Sequence, residues 1–233
     1  MAEWIKDFQI KFINNFISDN RWKYLLNGLG ITLEVTFFSA LIGIFIGFII
    51  AIIRSTHDKT GKMKMPDALC RLYITVIRGT PVVVQLLIIY FVVFASVNVD
   101  KVLAAIIAFG INSGAYVAEI VRSGIMSIDI GQMEAGRSLG LNYFQTMYYI
   151  ILPQAFKNVL PALANEFIVL LKETSISGYI ALQDLAKGGD IIRGRTYDAF
   201  MPLIAVALIY LFMVMLLSKG VGVMERRLRS SDR

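Results

Sequence analysis

Long apolar runs dominate the chain, and shorter polar segments separate each run from the next. A helix needs about 20 predominantly apolar residues to cross the hydrocarbon core of a bilayer. Five stretches reach that length, and they cover residues 26–53, 66–97, 102–125, 152–171 and 199–217. The pattern predicts an all-α integral membrane protein with five transmembrane helices.

The second apolar stretch is longer than one crossing needs and is interrupted near its middle. Gly79, Thr80 and Pro81 mark the interruption, because a proline cannot donate to the carbonyl four residues earlier and a glycine adds backbone freedom. Such a break is either a simple kink or a point where bare backbone groups face a substrate path. The sequence leaves both interpretations open.

Polar side chains follow one face of the third stretch. Asn112, Tyr116 and Glu119 are spaced by four and three residues, and Ser113 lies beside them. Polar groups at this depth are costly against lipid, so the face is expected to look into protein or water. For Glu119, an ion pair with Arg122 is favoured over ligand binding.

Residues 127–152 form a mostly polar segment between the third and fourth stretches, and its local chemistry predicts two short helices. Asp129 opens the first, with Gln132 at capping-box spacing, and Gly140 closes it. Asn142 opens the second, with Gln145 as its box partner. We interpret this segment as a docking surface for a second protein.

The spacing within this segment resembles the EAA loop of importer permeases in the ATP-binding cassette superfamily. The family pattern is EAA, three residues, Gly, nine residues and then I-x-L-P. Residues that match it are Glu134, Ala135, Gly140, Ile150, Leu152 and Pro153. Gly136 stands where the second alanine is usual, and a small residue there still permits close approach by a partner.

Two further segments are similar to sequences of the branch of that family that imports polar amino acids. They are RGTP at residues 78–81, followed by Gln85, and LKETS at residues 171–175. The resemblance implies that a cytoplasmic ATPase subunit binds the loop, that a second permease copy completes the path, most simply as a homodimer, and that an extracytoplasmic binding protein delivers cargo. The chain contains no G-x-x-x-x-G-K-[ST] motif, so ATP and Mg²⁺ are expected on the partner subunit and no enzymatic site on this chain.

Composition agrees with a membrane location. Hydrophobic residues make up 57% of the chain and its mean hydropathy is +0.66, above the usual range for soluble domains. The formal charge of +6 is dispersed over loops and tails, which disfavours a nucleic-acid partner. A single cysteine, Cys70, and a single histidine, His57, exclude an internal disulfide and a histidine pair for a metal.

The chain is expected to be one domain, residues 1–233, with residues 1–24 lying as an amphipathic segment on the membrane surface. Lysine and arginine counts alone do not decide the orientation. Since the docking loop must meet a cytoplasmic ATPase, the resemblance implies an N-terminus outside, a cytoplasmic C-terminus and a bacterial plasma membrane. Residues 172–198 are expected to form an exposed loop.

With that topology, polar residues of three spans fall near the midplane, where transporter sites typically lie. The candidate substrate-binding residues are Gln85, Asn112, Ser113, Tyr116, Asn165 and Glu166. Glu166 could pair with a basic side chain, which favours arginine, lysine or histidine as cargo, or with the α-ammonium of any polar amino acid. Alternatively, Asn165 and Glu166 only bond neighbouring helices.

Two other functions remain open at this stage. A permease for polar neutral amino acids such as glutamine or cystine would need the same backbone contacts. An ion channel or ion-coupled carrier would also place acidic residues in the membrane, but it does not account for the docking loop.

Overall fold

The computed structural model describes residues 2–230; Met1 and residues 231–233 lie outside it. Over the described range, all regular structure is helical. The α-helices are α1 (Ala2–Phe12), α2 (Trp22–Thr60), α3 (Lys64–Gly79), α4 (Val82–Ile88), α5 (Lys101–Met126), α6 (Ile130–Ser138), α7 (Tyr143–Thr146), α8 (Leu152–Glu173), α9 (Leu185–Thr196) and α10 (Phe200–Ser230). Short π or 3₁₀ turns extend α1, α4, α7 and α8.

Three helices, α2, α5 and α10, are long and apolar enough to cross a membrane, and α3 and α4 together could form a fourth, bent crossing. Helix α8 is long enough, but it carries several polar residues along its length. The all-helical membrane fold is thus confirmed, while the number of five crossings stays a prediction.

Helix α5 is the central helix of the bundle. In its most apolar 18-residue stretch 72% of the residues are buried inside the protein, against 33% in α2 and 17% in α10. Asp100 begins α5 by accepting hydrogen bonds from the backbone N–H groups of Val102 and Leu103. Since α2 and α10 bury so little of their apolar surface, they present most of it outward, where lipid is expected.

Small residues allow α2 and α5 to pack closely. A Cβ added at Gly43 would lie 2.8 Å from the Ser113 Cβ, and one added at Gly47 would lie 2.4 Å from Val117 Cγ1. On the opposite helix, a Cβ at Gly110 would meet Ile42 at 2.7 Å. Neither helix could move closer, so this contact fixes the position of Ser113.

Helices α3 and α4 meet at an angle of 107°. Thr80 and Pro81 between them have extended backbone, with ψ angles of 146° and 134°. The chain therefore turns sharply here, well beyond an ordinary proline kink, and α4 runs back along α5.

Residues 172–198 do not form the exposed loop expected from their polarity. They contain α9, in which Leu185 and Ile192 are fully buried against α2 and α10. Gly188 allows the contact, since a Cβ there would lie 2.5 Å from the Tyr24 carbonyl oxygen. Gly188, within the segment expected to be a loop, is thus a packing position.

At the same end of the bundle, buried Asn15 ties the N-terminal segment to the chain before α10. Its amide donates to Asp198 Oδ2 at 2.8 Å, and its oxygen accepts from Thr196 Oγ1 at 2.8 Å. Helix α1 exposes an aromatic row, Trp4, Phe8 and Phe12, whose rings stack in sequence. An amphipathic N-terminal segment is present, and its location on a membrane surface stays a prediction.

Candidate functional site

The side chain of Gln85, from the first turn of α4, closes the break between α3 and α4. Its Nε2 donates to the carbonyl oxygen of Ile77 at 2.7 Å, to Thr80 Oγ1 at 2.8 Å and to the Thr80 carbonyl oxygen at 3.1 Å. The Ile77 carbonyl, which Pro81 leaves without a donor, and the Thr80 carbonyl are thereby hydrogen-bonded within the chain. They are not the bare backbone groups that one interpretation of the break required.

Asn112 connects this arrangement to the central helix. Its Nδ2 donates to Gln85 Oε1 at 2.9 Å, and both side chains are buried. A buried amide pair of this kind holds α4 against α5, because leaving either amide unpaired would cost free energy. The structure therefore gives Gln85 and Asn112 a bracing role in the wall of the candidate site.

The next residue along α5 forms a second connection, to α8. Ser113 Oγ donates to Glu166 Oε1 at 3.1 Å, while Gly43 of α2 packs against the other side of Ser113. Glu166 is half-buried and forms no ion pair with any described residue. A carboxylate with only a neutral partner in a membrane bundle retains the capacity to bind a cation.

Tyr116 lies one turn beyond Asn112 on α5, with the guanidinium of Arg78 5.4 Å from its ring centroid. This cation–π contact was not foreseen, although Arg78 directly precedes the break and could have drawn attention. The predicted Glu119–Arg122 ion pair is present, with Nη2 and Oε2 3.4 Å apart. Arg54 of α2 joins Glu119 as a second, unforeseen partner.

Asn165 does not join the other candidate residues. It is exposed and lines a cavity of about 330 Å³ between α8 and α10, together with Lys157, Asn158 and Glu225. Successive helical residues point about 100° apart, so Asn165 and Glu166 look into different spaces. The structure thus brings Gln85 to Asn112 and Ser113 to Glu166, and leaves Asn165 outside.

The docking segment folds as the two short helices α6 and α7. The capping box of Asn142 and Gln145 is confirmed, with reciprocal hydrogen bonds of 2.9 Å each. The box of Asp129 and Gln132 is wrong. Asp129 caps only the Gly131 N–H, because the Gln132 side-chain oxygen accepts instead from Gln154 of α8.

Glu134 and Ala135 are exposed on α6, and Gly140 ends the turn after that helix with a φ of +83°. A left-handed residue at this position favours glycine. The segment therefore presents an acidic residue and a tight turn outward, which suits docking to another protein.

The small size of Gly136 had suggested close approach by a partner, but Gly136 does not face outward. It is buried, and a Cβ there would lie 2.5 Å from Thr146 Cγ2 and 3.0 Å from Ile150 Cδ1. The close approach that its small size permits is made within the segment, between α6 and α7.

Comparison with known proteins gives consistent matches. Residues 43–230 match the family described as binding-protein-dependent transport system inner membrane component. The arginine transport system permease protein ArtQ of Bacillus subtilis is 39% identical, over 90% of this chain and 94% of its own length. A putative glutamine permease, GlnP of Rickettsia typhi, is 36% identical, over 88% of this chain and 93% of its own length. The cystine permease TcyB of Bacillus subtilis is also 36% identical, over 92% and 90%.

Solved structures agree with these sequence matches. A crystal structure of an amino acid ABC transporter with histidines superposes with a TM-score of 0.83 at 43% identity, covering 91% of this chain and 98% of that one. Inward-facing MetNI, a methionine ABC transporter, gives a TM-score of 0.75 at 20% identity, over 89% and 97%. The second similarity concerns the fold alone.

Proposed function

The chain belongs to the family of inner membrane components of binding-protein-dependent transport systems, and from that membership we propose that it is the permease subunit of an ATP-driven importer of polar amino acids. Within that class, basic amino acids are the proposed cargo. The relatives named for arginine, glutamine and cystine support the broad class. The choice among amino acids depends on the site.

The observation that carries the cargo assignment is the environment of Glu166. Its only described hydrogen-bond partner is the Ser113 hydroxyl, at 3.1 Å, so no cation among the residues that the structure describes neutralises it. The guanidinium or ammonium of a basic side chain would supply the missing charge. Ser113 and Tyr116 would bond polar groups of the same cargo, whereas Gln85 and Asn112 hold the wall behind them.

Relatives named for glutamine and cystine favour a second assignment. There, Glu166 would meet the α-ammonium group, which every amino acid carries. The two assignments differ in whether an uncharged side chain is accepted.

In the proposed assembly, a separate ATPase subunit binds ATP and Mg²⁺ and docks on Glu134, Ala135 and Gly140, while Gly136 lets α6 pack against α7 behind them. A second copy of the chain completes the transport path as a homodimer, and an extracytoplasmic binding protein delivers the amino acid. The N-terminus would lie outside a bacterial plasma membrane and the C-terminus in the cytoplasm. ATP binding would bring the docking segments together and swing the helices between outward and inward access.

The proposal is tested by the ATPase activity of the complete transporter in lipid nanodiscs, with its binding protein and a panel of amino acids. Stimulation by arginine, lysine or histidine alone is the expected result. Stimulation by glutamine or cystine would move the assignment to neutral cargo. Transport that follows an ion gradient without ATP hydrolysis would contradict the importer assignment altogether.

The substitution Glu166→Gln tests the cargo contact directly. We expect the arginine concentration for half-maximal stimulation to rise about 10- to 100-fold, because a hydrogen bond to a charged group contributes about 1.5–3 kcal/mol. Glu173→Gln is the matched control, because it makes the same change on the same helix about 10 Å farther along the axis. An unchanged concentration in Glu166→Gln would return Glu166 to a purely structural role.

A further inference from the structure

Three helices meet near the docking segment through a closed ring of six side chains with alternating charge, which we call the charge ring. Each helix contributes one acid and one arginine, three or four residues apart and therefore on one face. The members are Arg54 and Asp58 of α2, Asp67 and Arg71 of α3, and Glu119 and Arg122 of α5. Three acids and three arginines balance each other.

The links between α2 and α5 are hydrogen-bonded. Arg54 Nη1 donates to Glu119 Oε1, and Arg122 Nη1 donates to Asp58 Oδ2 at 3.3 Å. These bonds accompany close helix packing, where Gly43 and Gly47 lie against α5. Helices α2 and α5 therefore form one firmly joined unit.

The ionic links from α3 to this unit are all longer, whereas outside the charge ring the Tyr73 hydroxyl of α3 donates to the Ile111 carbonyl of α5. Arg54 Nε lies 3.7 Å from Asp67 Oδ1, His57 Nε2 lies 3.7 Å from Asp67 Oδ2, and Arg71 Nη2 lies 3.9 Å from Asp58 Oδ1. These separations exceed those of hydrogen bonds. Only the bond within α3, from Arg71 Nε to Asp67 Oδ2 at 2.6 Å, is short.

The separation between Arg54 and Asp67 lies between two buried atoms. Side chains of Asp67 and Arg54 are only 4% and 12% exposed, and neither Asp67 Oδ1 nor Arg54 Nε has a hydrogen-bond partner among the described residues. A buried charged group without its hydrogen bond is costly. An approach of about 0.8 Å would bring the pair to hydrogen-bond distance.

The charge ring lies between the docking segment and the candidate site. Asp58 lines a cavity of about 420 Å³ together with Asp129, Met133, Arg137 and Tyr143 of the docking segment. At its other end, α3 leads directly into the break that Gln85 closes. A small shift of α3 would therefore change contacts both at the cavity beside the docking segment and at the break that Gln85 closes.

We propose that the charge ring is a latch that seats α3 against the α2–α5 unit during transport, which makes Arg54 and Asp67 positioning residues. The Arg54–Asp67 bond closes in one access state and is open in the other. This inference rests on the proposed function, because the transport cycle supplies the two states.

Asp67→Asn is the principal test, made in the complete transporter with its binding protein. We expect the ratio of ATPase rates with and without binding protein and arginine to fall about fivefold, the low end of typical coupling between two sites. Asp7→Asn, which breaks the exposed Asp7–Lys11 pair on α1, is the matched control.

A second readout does not depend on ATPase activity. Cys70, the chain's only cysteine, lies on α3 between Asp67 and Arg71 and is partly buried against Ile50 and Ala115. Its rate of reaction with a maleimide, followed by the mass of this chain, should rise about fivefold in Asp67→Asn as α3 loosens. If the charge ring only stabilised the fold, Asp67→Asn would lower the melting temperature and would lower the ATPase rates with and without binding protein and arginine by the same factor. The ratio of these two rates would then stay unchanged.

Arg71→Gln provides the second variant, because that side chain is 53% exposed and glutamine can still donate a hydrogen bond to Asp67. It removes the other link from α3, so both readouts should change in the same direction by a smaller factor. An unchanged rate ratio together with unchanged Cys70 labelling, in whichever of the two variants folds, would overturn the latch. A wild-type complex without any stimulation by amino acids would instead contradict the proposed function, and Cys70 labelling would still test the latch.

Discussion

At the scale of single residues, Asp184 shows how burial can set a dependence on pH. Its carboxylate caps α9 by accepting from the Lys187 N–H at 2.9 Å, while Oδ2 has no hydrogen-bond partner in the described chain. Burial raises the pKa of Asp184 from 3.8 to about 6, against the opposing effect of the capping hydrogen bonds. The folded protein therefore holds this proton more tightly than the unfolded chain does.

This difference predicts that the free energy of unfolding falls as pH rises from about 4 to about 6 and then levels off. The contribution of this one group is about 3 kcal/mol at most. Asp184→Asn should remove that slope and be the more stable protein above pH 6, because asparagine caps a helix equally well. Unfolding of the wild-type protein and the variant in detergent between pH 4 and 8 checks this, and identical slopes would contradict it.

The candidate residues could be selected from the sequence, but their partners could not. Amides and acids within apolar stretches stand out because burying them is costly. Which way each points depends on the rotation of its helix, which packing determines. Asn165 and Glu166 are neighbours in the sequence yet face different spaces, and Gln85 bonds the backbone of its own break.

At the scale of elements, the pair α6 and α7 depends on the absence of a side chain at Gly136. Gly136→Ala would bring its methyl group within 2.5 Å of Thr146 Cγ2, and Thr146 is fully buried, with no room to move. Overpacking of this kind costs about 1–3 kcal/mol. We expect a lower melting temperature and faster proteolysis within residues 127–152.

Combining Gly136→Ala with Thr146→Ser should recover part of that loss, because serine lacks the clashing methyl group. The hydroxyl that bonds the Asn142 carbonyl at 3.0 Å is kept and would lie 2.9 Å from the new Cβ. Thr146→Ser alone is the control for the lost methyl. Equal proteolysis rates in Gly136→Ala and the double variant would contradict the steric explanation.

Local signals predicted elements well where no distant residue competed for them. The Asn142 and Gln145 side chains form the capping box that their spacing indicates. The Gln132 side chain instead accepts a hydrogen bond from Gln154, 22 positions later. Similarly, the polarity of residues 172–198 indicated a loop, yet Gly188 lets α9 pack against α2. Contacts between distant segments decided both cases.

At the scale of the whole molecule, the close contact of α2 with α5 links helix packing to the candidate site. Gly43→Ala should displace Ser113, whose Cβ and Oγ would lie 2.8 Å from the new methyl group. We expect the Ser113–Glu166 bond to weaken and the arginine concentration for half-maximal ATPase stimulation to rise about tenfold, equivalent to about 1.4 kcal/mol.

Gly30→Ala, in the same helix, is the matched control because no described atom lies within 4 Å of the position where its Cβ would be. That change should leave the half-maximal concentration unaltered and stabilise the helix by about 0.5–1 kcal/mol. A similar rise in both variants would show that the effect comes from helix stiffness and not from Ser113.

The general architecture was accessible from the sequence because apolar length alone specifies membrane helices. The bend between α3 and α4 could be predicted from the sequence only in part, since Pro81 predicts that the helix breaks but not at what angle. Helix α8 coincides with the predicted stretch 152–171, but its composition alone does not establish a membrane crossing, because its polar residues face protein and cavities.

The charge ring also has a consequence for how this protein changes over generations. Each of its three helices supplies one acid and one arginine, and the buried position of Asp67 leaves no room for an unmatched charge. When one charged residue of the ring is substituted, a second substitution at the neighbouring charge therefore restores stability. Among descendants of a common ancestor, the six positions should be inherited as a block, with substitutions that arrive in compensating pairs.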